Sequence, residues 1–370
     1  MEIKEILKKW YFLLRGIILS VFLRRRCFIL FDKNKINKIL VIRLDRIGDM
    51  VVSEPALRAL RQAFPRANIT VLTLPATAPL LKFIPWVDQV IIYRSFFDSI
   101  HKIRQGKFNL VVDLLMDYPI KTALLARFSA SEVSAGFDIS ERGICFTIAH
   151  PQSKIKQKMY QHLLGLVEAI ACRFGITQKI EEKPPQLFIG LEQKKFQQEY
   201  FRHHNFQGKL VIGIHPGAKF PSQRWGAERF SQLAEKILSA NAKVIFLGSI
   251  GEKFLIKKIV SSMKLQPVVA MGLSLDKTIA LISGINLLVC NNSGLLHIAA
   301  ALGVATVSMM GPTDPILWAP ASDNAVVIRK QLPCSPCNKA VCNRHLCLES
   351  ITVEEVWQAI KSQIARLDYF

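Results

Sequence analysis

A carboxylate flanked by arginines is the first feature of this sequence that could carry out chemistry. Asp49 ends the stretch Arg43–Asp49, which follows a short apolar run of Ile, Leu and Val that is typical of a buried parallel strand. Gly48 breaks the run and a helical pattern follows, so Asp49 is expected at the carboxyl edge of a sheet, where open α/β folds bind ligands. There it would face a ligand, with Arg43 and Arg46 beside it. It could equally be a helix cap that the positive end of the helix favours.

A second group of candidate residues lies in the C-terminal half, where three predicted strands each end in a polar turn. The free backbone N–H groups of such turns, and of the helices that follow them, bind phosphate. A guanidinium or imidazole nearby could add a donor to a diphosphate, although a lone histidine is more often a structural residue. The pattern therefore favours a phosphate-bearing ligand. Its candidate residues are His215, Gly217, Arg224, Asn292, Ser293, Gly294 and His297.

Both groups need parallel sheets to position them, and the chain has the pattern of such sheets. From Lys38 onward, apolar strand patterns alternate with amphipathic helical ones, which is the rhythm of βαβ units covered on both faces. A polar stretch at 178–208 interrupts the rhythm, and we interpret its later part, 203–208, as a linker. Two α/β halves of similar size suggest a ligand cleft between them. The predicted fold is therefore α/β, with two Rossmann-like domains facing a cleft.

The domain boundaries follow from this rhythm and from the length of the chain. Because 370 residues exceed the usual size of a single core, two domains are expected. We predict a basic amphipathic segment at 1–35, an N-terminal domain at 36–205 and a C-terminal domain at 206–370. The C-terminal domain includes a cysteine-rich loop at 333–348 and ends in a helix.

The charge of the chain restricts its partners. Its 49 basic and 28 acidic residues leave a net charge of +21, which implies a phosphate-rich substrate, a membrane surface or nucleic acid. The sequence contains no glycine-rich dinucleotide motif, Walker motif, zinc-protease motif or nucleophile elbow. It also lacks an Asp-x-Asp pair that could hold a metal-bound nucleotide sugar.

The first 35 residues have the pattern of a basic amphipathic helix. Apolar residues recur at helical spacing, with lysines and arginines between and after them. Arg15 interrupts the apolar run from Trp10 to Leu23, so the run is too short to span a bilayer, and no signal cleavage site follows. Such a helix can lie in the headgroup region of an anionic membrane. The alternative is a helix packed on the protein's own core, with its basic end in solvent.

Half of the eight cysteines fall in one short loop after Pro333. Four closely spaced thiols could bind a structural zinc ion, with His345 as a spare ligand. Two disulfides are the rival interpretation, although a cytosolic enzyme would keep these thiols reduced. The loop contains Cys334, Cys337, Cys342 and Cys347. The isolated cysteines, expected to be buried thiols, are Cys27, Cys145, Cys172 and Cys290.

Three ordered motifs resemble those of glycosyltransferase family 9, which includes the ADP-heptose–lipopolysaccharide heptosyltransferases. The resemblance covers the chain from Lys38 to its C-terminus. The motifs are, in order, Arg43–Asp49 with Pro55–Leu60, then Ile214–Gly217 with Arg224-Trp225 and Glu228–Phe230, and last Asn292–Gly303 with Gly311–Thr313.

The resemblance implies a two-domain fold of the GT-B type and a metal-independent, inverting transfer of a sugar. Asp49 matches the proposed general base of the family, which takes the proton of the acceptor hydroxyl as that oxygen attacks the anomeric carbon. The N-terminal domain would bind the acceptor, near Arg43 and Arg46, and the C-terminal domain the nucleotide sugar. Helix N-termini and basic side chains would stabilise the departing diphosphate. Glu252 matches the ribose-binding acid of the family.

Two positions depart from the pattern of the family. Many relatives carry Asp-Ser/Thr-Gly where this chain has Asn292-Ser293-Gly294. That Asp contacts hydroxyl groups of the donor sugar, so a donor other than a heptose stays open. Relatives often carry Lys where this chain has Gln223, so one diphosphate contact is lost or is supplied by Lys219.

These observations predict a membrane-surface glycosyltransferase that extends a lipid-linked saccharide on the cytoplasmic face of the cytoplasmic membrane. We expect heptose from ADP-heptose as the donor sugar, lipopolysaccharide core or a related saccharide as the acceptor, and no cofactor needed for catalysis. A nucleotide-sugar epimerase of related fold is the alternative enzyme. A basic nucleic-acid-binding protein with a zinc-type loop is the alternative of another class. That class predicts aromatic stacking platforms among the basic residues, and the stretch Arg43–Asp49 offers none.

Overall fold

The computed structural model describes residues 2–22 and 32–366 and divides into two compact units, Met1–Lys183 and Pro184–Phe370. Cys27 and the basic run 24–26 lie outside the described residues. Each unit contains one six-stranded sheet in which all neighbouring strands are parallel. The fold class predicted from the sequence, two Rossmann-like units preceded by an N-terminal helix, is therefore confirmed.

The first unit is organised around an early, almost completely buried strand. Its strands are β1 (Lys38–Arg43), β2 (Asn68–Thr73), β3 (Gln89–Ile92), β4 (Leu110–Asp113), β5 (Val133–Asp138) and β6 (Ile148–Pro151). Their order in the sheet is β3-β2-β1-β4-β5-β6. β1 is buried from its second residue onward because β2 and β4 flank it and helices cover both faces.

Among the described residues of this unit, six α-helices accompany the sheet. They are α1 (Glu2–Phe22), α2 (Ile47–Val51), α3 (Glu54–Ala63), α4 (Phe96–Gly106), α5 (Lys121–Arg127) and α6 (Met159–Arg173). The sequence predicted one continuous helix after β1, whereas the structure divides it into α2 and α3. Pro55 in the first turn of α3 has no N–H to donate to the carbonyl four residues earlier, so the helical hydrogen-bond ladder is interrupted there.

The second unit repeats the same topology. Its strands are β7 (Val211–His215), β8 (Lys243–Gly248), β9 (Val268–Met271), β10 (Leu287–Asn291), β11 (Ala305–Met309) and β12 (Ala325–Ile328). Their order is β12-β11-β10-β7-β8-β9. Counted within each unit, both sheets therefore have the strand order 3-2-1-4-5-6 of the doubly wound α/β fold.

The helices of the second unit begin before its first strand. They are α7 (Leu191–His203), α8 (Ala227–Ser239), α9 (Lys253–Ser261), α10 (Leu275–Gly284), α11 (Gly294–Ala301), α12 (Pro315–Trp318), α13 (Leu346–Glu349) and α14 (Val353–Arg366). The sequence placed the domain boundary between residues 205 and 206, whereas the structure divides the chain between 183 and 184. The division comes earlier because α7 packs against α10 and so belongs to the second unit.

The strand order identifies where each unit can hold a ligand. In a doubly wound sheet the crevice opens at the carboxyl ends of the two central strands, where the direction of the chain connections reverses. In the first unit these strands are β1 and β4, and in the second unit they are β7 and β10. Both groups of residues selected from the sequence lie at the carboxyl ends of β1, β7 and β10 or in the segments that follow these strands.

No helix among residues 2–22 and 32–366 combines the length and the apolar character needed to cross a bilayer.

Candidate functional site

The carboxyl end of β1 carries an arginine that bridges two carboxylates. Arg43 is only 2% exposed; its Nη1 lies 3.1 Å from the Asp45 carboxylate and its Nη2 lies 3.8 Å from the Asp49 carboxylate. The same guanidinium donates hydrogen bonds to the backbone carbonyls of Leu114 and Asp49. These contacts give Arg43 a positioning role for both carboxylates. The acceptor contact that the sequence suggested for it stays a prediction.

Asp49 combines the two roles that the sequence left open. It lies in the first turn of α2, where its Oδ2 accepts a hydrogen bond from the Arg46 backbone N–H at 3.3 Å. Its Oδ1 faces Arg43, and the side chain keeps 18% of its surface exposed. Asp49 is thus a cap and also an accessible carboxylate beside a buried cation. The Arg46 side chain is exposed at the same turn.

Asp45 is a carboxylate that sequence reasoning did not single out. Its pKa is raised from 3.8 to about 6, chiefly by burial and also by the negative charges of Asp49, Asp113 and Asp117, against the lowering effect of Arg43. Restricted access to water disfavours the charged form, and the neighbouring carboxylates add to this effect. Asp45 therefore changes its charge close to neutral pH, next to the predicted general base.

A fully buried ion pair supports the loop that follows β4. Arg142 donates to the Asp113 carboxylate, and both side chains are fully buried. Arg142 also donates to the backbone carbonyls of Leu115 and Asp117, at 2.8 and 2.5 Å. Breaking such a pair would leave a buried charge uncompensated, which costs about 3–5 kcal/mol. No sequence motif marks this pair, because its members come from separate elements.

At the carboxyl end of β7, His215 and Glu252 are brought together. His215 Nε2 lies 3.7 Å from Glu252 Oε1, and its Nδ1 lies 3.0 Å from the Leu247 carbonyl oxygen. Glu252 Oε2 accepts hydrogen bonds from the backbone N–H and the hydroxyl of Ser249, both at 2.8 Å. A Cβ on Gly217 would lie 1.5 Å from Glu252 Oε1, so only glycine allows this approach. The structure thus unites three residues predicted for the donor site.

Asn291 joins the ends of the two central strands, and sequence reasoning missed it. Its side chain is completely buried; the Oδ1 accepts from the Trp225 backbone N–H at 2.9 Å and the Nδ2 donates to the Pro216 carbonyl at 2.8 Å. The turn after β7 is therefore tied to the end of β10. The sequence pattern places Asn291 in the turn after the strand, whereas it is the last residue of β10, and no local signal indicates its partners in the turn after β7.

The start of α11 has the properties of a phosphate site. Ser293 is the N-cap residue, yet its side chain makes no capping hydrogen bond, and its buried Oγ has no hydrogen-bond partner of ordinary geometry. The N–H groups of the first turn are left without a side-chain cap, as an incoming anion would require. His297 follows one turn later, is 8% exposed and packs edge-on against Trp318. Asn292 and Gly294 flank Ser293 and are half-buried.

The basic loop after β7 folds back on itself through Arg224. Its Nε and Nη2 both donate to the Ala218 carbonyl, at 3.1 and 3.0 Å, which fixes the guanidinium at this loop. Gln223, where relatives often carry Lys, donates to the Thr313 hydroxyl at 3.1 Å. Lys219 is exposed, with its ammonium 5.2 Å from the centre of the Phe220 ring. Gln223 therefore links the second motif to the third, and it adds no positive charge at this position.

The cysteine-rich loop is not arranged as a metal site. Within the part of the chain that the structure describes, no group of three or more His, Cys, Asp and Glu side chains is placed to hold a metal ion. The four loop residues Cys334, Cys337, Cys342 and Cys347 are free thiols. Hydrogen bonds hold the loop in place: Ser222 binds the carbonyls of Ala340 and Lys339, and its own carbonyl oxygen lies 2.8 Å from His345 Nε2. The arrangement predicted for zinc is therefore not found.

The isolated cysteines follow the prediction in two of the three described cases. Cys145 and Cys290 are buried, whereas Cys172 is exposed on α6. It lies on the face of α6 that turns away from the core.

Comparison with known proteins identifies the family. Residues 97–347, about two thirds of the chain, match glycosyltransferase family 9 (heptosyltransferase). The chain belongs to this family. This family 9 glycosyltransferase is similar to lipopolysaccharide heptosyltransferase 2 of Escherichia coli (strain K12), with 26% identity over 312 residues that cover 79% of this chain and 88% of that protein.

Solved structures agree with the family assignment. A family 9 glycosyl transferase from Veillonella parvula superposes with a TM-score of 0.77 at 22% identity, covering 89% of this chain and 97% of that one. The ADP-heptose lps heptosyltransferase II of E. coli superposes with a TM-score of 0.74 at 25% identity, covering 90% and 99%. The resemblance inferred from the three motifs is confirmed. Because the family consists of glycosyltransferases, the epimerase and nucleic-acid-binding alternatives are set aside.

Proposed function

We propose that this glycosyltransferase moves heptose from ADP-heptose onto lipopolysaccharide core or a related lipid-linked saccharide, with inversion at the anomeric carbon and without a metal ion. One observation carries the proposal: an accessible carboxylate stands at the switch point of the first unit, and an uncapped helix start stands at the switch point of the second. The first suits proton abstraction and the second suits a diphosphate. The names of the relatives support the donor and the acceptor.

Asp49 is the general base in this proposal. Its carboxylate takes the proton of the acceptor hydroxyl while that oxygen attacks the anomeric carbon and the bond to the diphosphate breaks. Arg43 keeps the carboxylate in position through Nη2 and through the Asp49 carbonyl. General-base catalysis of this kind contributes about 10²–10⁴-fold to the rate.

The diphosphate leaving group gains negative charge in the transition state, and the second unit carries its counterparts. The N–H groups at the start of α11, the Ser293 hydroxyl and the His297 imidazole are donors on one helix end. Arg224 adds a planar cation that matches phosphate oxygens. We assign Glu252 to the ribose hydroxyls, as the resemblance implies, and its contact with Gly217 sets its position. No cofactor is required in this scheme.

We also propose that the enzyme works peripherally on the inner face of the cytoplasmic membrane. A lipid-linked acceptor brings the reaction to a bilayer surface, and the net charge of +21 favours an anionic leaflet.

The function is tested by turnover with defined donors. Purified enzyme is incubated with ADP-heptose, ADP-glucose or UDP-glucose and a heptose-deficient lipopolysaccharide acceptor, with and without EDTA, and the anomeric configuration of the product is determined by NMR. We expect transfer from ADP-heptose only, with inversion and with no effect of EDTA. Turnover with another donor would show that the donor sugar is not heptose, which is the possibility that Asn292 leaves open. Loss of activity in EDTA, or retention of configuration, would overturn the mechanism.

A further inference from the structure

Helix α1 packs on the first unit through one face. Arg15 Nη1 donates to the Tyr118 carbonyl oxygen at 2.9 Å, and Nη2 donates to the Ser140 carbonyl oxygen. The Phe12 ring contacts the Tyr118 ring with centroids 5.8 Å apart, and the Arg15 guanidinium lies 4.8 Å from the centre of the Phe12 ring. These contacts fix both the position of α1 and its rotation about its own axis.

Two further residues complete this docked face. Gly16 lies so close to Glu141 that a Cβ would approach the Glu141 side chain to 2.8 Å, and Leu19 packs against the apolar core of the first unit. At about 100° per residue, positions 12, 15, 16 and 19 fall within one arc of about 100°. The interpretation of α1 as a helix packed on the protein's own core therefore holds for this arc.

The opposite arc of α1 is apolar and exposed. Seven large side chains, each between 50% and 73% exposed, occupy about 160° of the helix on the side facing away from the docked face. We call these residues the exposed stripe. They are Trp10, Tyr11, Leu13, Leu14, Ile17, Ile18 and Val21. Large contiguous apolar surfaces of this kind mark sites of protein or membrane contact.

The docking contacts place α1 at the ligand edge of the sheet. Tyr118 belongs to the loop after β4, and Ser140 belongs to the loop after β5, so both follow carboxyl ends of strands. The loop after β4 begins at Leu114. The Leu114 carbonyl oxygen accepts a hydrogen bond from Arg43, which is the residue that positions Asp49. The four residue steps from Leu114 to Tyr118 span at most about 14 Å. The helix is thus fixed close to the proposed general base.

We propose that the exposed stripe binds an anionic phospholipid bilayer and that the docked face fixes this membrane surface beside Asp49. Charge complementarity selects the occupant: in the sequence Lys8 and Lys9 precede the stripe, the basic run 24–26 follows it, and the whole chain carries +21. Basic ends, an apolar face and aromatic residues at the headgroup level are the properties of helices that lie in the bilayer interface. The stripe contains a Trp and a Tyr for that role.

The proposal has a consequence for the acceptor, and this part rests on the proposed function. An acceptor whose lipid anchor lies in the same bilayer reaches Asp49 only if its hydroxyl stands a short distance above the headgroups. The enzyme should therefore prefer a membrane-embedded acceptor with a short saccharide over the same saccharide freed of its lipid. Changes in the exposed stripe should therefore lower transfer to the membrane-embedded acceptor and leave transfer to the lipid-free saccharide nearly unchanged.

Vesicle binding tests the surface itself. Full-length enzyme is sedimented with phosphatidylglycerol-containing vesicles and with vesicles of phosphatidylcholine alone. The double variant Leu14→Glu/Ile17→Glu is compared with Ile155→Glu/Leu191→Glu, which changes two even more exposed apolar side chains elsewhere. We expect the stripe variant to lose partitioning to anionic vesicles by at least about tenfold, because two charges enter the apolar face. The control should bind like wild type. Unchanged binding of the stripe variant to anionic vesicles would overturn the proposal. The proposal would also fail if gel filtration showed that the stripe holds two copies of the chain together.

Turnover tests the position of the surface. The same variants and Arg15→Ala are assayed with the acceptor in vesicles and with the delipidated saccharide. The stripe variant should lose about tenfold on the vesicle acceptor and less than twofold on the free saccharide. Arg15→Ala should keep vesicle binding but lose activity on the vesicle acceptor, because the helix is no longer fixed at the sheet edge. Equal losses on both acceptors would contradict the positioning role. If the wild-type enzyme bound vesicles but transferred no heptose to either acceptor, the proposed function would be wrong. The proposal that the exposed stripe binds a bilayer would still hold.

Discussion

The two units have the same strand order, yet their ligand edges are built from opposite kinds of chemistry. In the first unit the edge is crowded with charges that pair with one another, above all Arg43 with Asp45 and Asp49. In the second unit the start of α11 offers uncapped backbone N–H groups and the Ser293 hydroxyl, and the charged residues Glu252 and Arg224 lie in the neighbouring loops. A carboxylate beside a buried arginine can exchange a proton, whereas uncapped N–H groups can receive an anion. A shared topology therefore determines where a ligand lies and leaves the chemistry to the side chains.

The difference also appears in how each edge is supported. In the first unit a second ion pair, Arg142 with Asp113, holds the loop beside the carboxylates. In the second unit a neutral amide, Asn291, joins the two turns. A neutral support adds no charge that would compete with a diphosphate. In the ionic support, the negative charge of Asp113 contributes to the raised pKa of Asp45.

Asp49→Asn is the variant that should distinguish the functions of the two ligand edges most strongly. The variant keeps the shape of the side chain but cannot accept the acceptor proton, so kcat should fall by about 10²–10⁴-fold. Stabilisation by ADP in a thermal shift assay should be unchanged, because the diphosphate contacts belong to the other unit. Near-normal turnover would remove the general-base role. A loss of the ADP effect would show that the two edges do not act separately.

The reverse experiment changes the phosphate edge. Ser293→Ala together with His297→Ala should weaken ADP binding by about 10²-fold, since hydrogen bonds to a charged group are each worth about 1.5–3 kcal/mol. For wild type, ADP at one hundred times its Kd should stabilise the fold by about 2.7 kcal/mol, with or without EDTA. Isothermal titration calorimetry gives the affinities. Full ADP affinity in the double variant would place the diphosphate elsewhere.

Gly217→Ala tests the close packing at the end of β7. The added Cβ would meet Glu252 Oε1 at 1.5 Å, so the Glu252 side chain must move away from its position. We expect ADP affinity to fall by about tenfold, the cost of one lost hydrogen bond to a charged group. Gly226→Ala, whose Cβ would approach Arg229 only to 3.4 Å, is the matched control and should bind ADP normally. Equal affinities in the two variants would exclude Glu252 from nucleotide binding.

The smallest expected effect concerns pH and Asp45. Below its pKa of about 6 Asp45 is neutral, and Arg43 stabilises the Asp49 carboxylate alone, which makes Asp49 a weaker base. Above that pH Asp45 is anionic and shares Arg43, so kcat/KM should rise through about pH 6. Asp45→Asn keeps the residue neutral and should lower kcat/KM at pH 8 by about three- to tenfold, since one neighbouring charge is worth about 1 kcal/mol. It should also remove the rise near pH 6. A profile identical to that of wild type would contradict the coupling.

Much of this protein is determined by sequence patterns that act over a few residues. The apolar runs before Asp49, His215 and Asn292 predict buried strands, and the turns that follow them place polar residues at sheet edges. These signals are local because strand period, glycine turns and helix starts depend on neighbouring residues. They were sufficient for the fold class and for placing the candidate residues near the ends of strands, and the roles of those residues stay predictions. The strands β6 and β12 were missed; edge position and a length of four residues do not explain this, because β3 and β9 share both features.

What only the tertiary structure decided is which side chains meet. Arg43 reaches the Leu114 carbonyl 71 positions away, and Asn291 reaches the Pro216 carbonyl 75 positions away. No local pattern records such pairs, because parallel strands bring together residues that are separated by whole helices. The same holds for α1: the sequence shows an amphipathic helix, but only packing shows that Arg15 binds the loops beside the proposed base. Burial also makes Asp45 a group that titrates near pH 6, since a pKa depends on the surrounding charges and water rather than on the residue type alone.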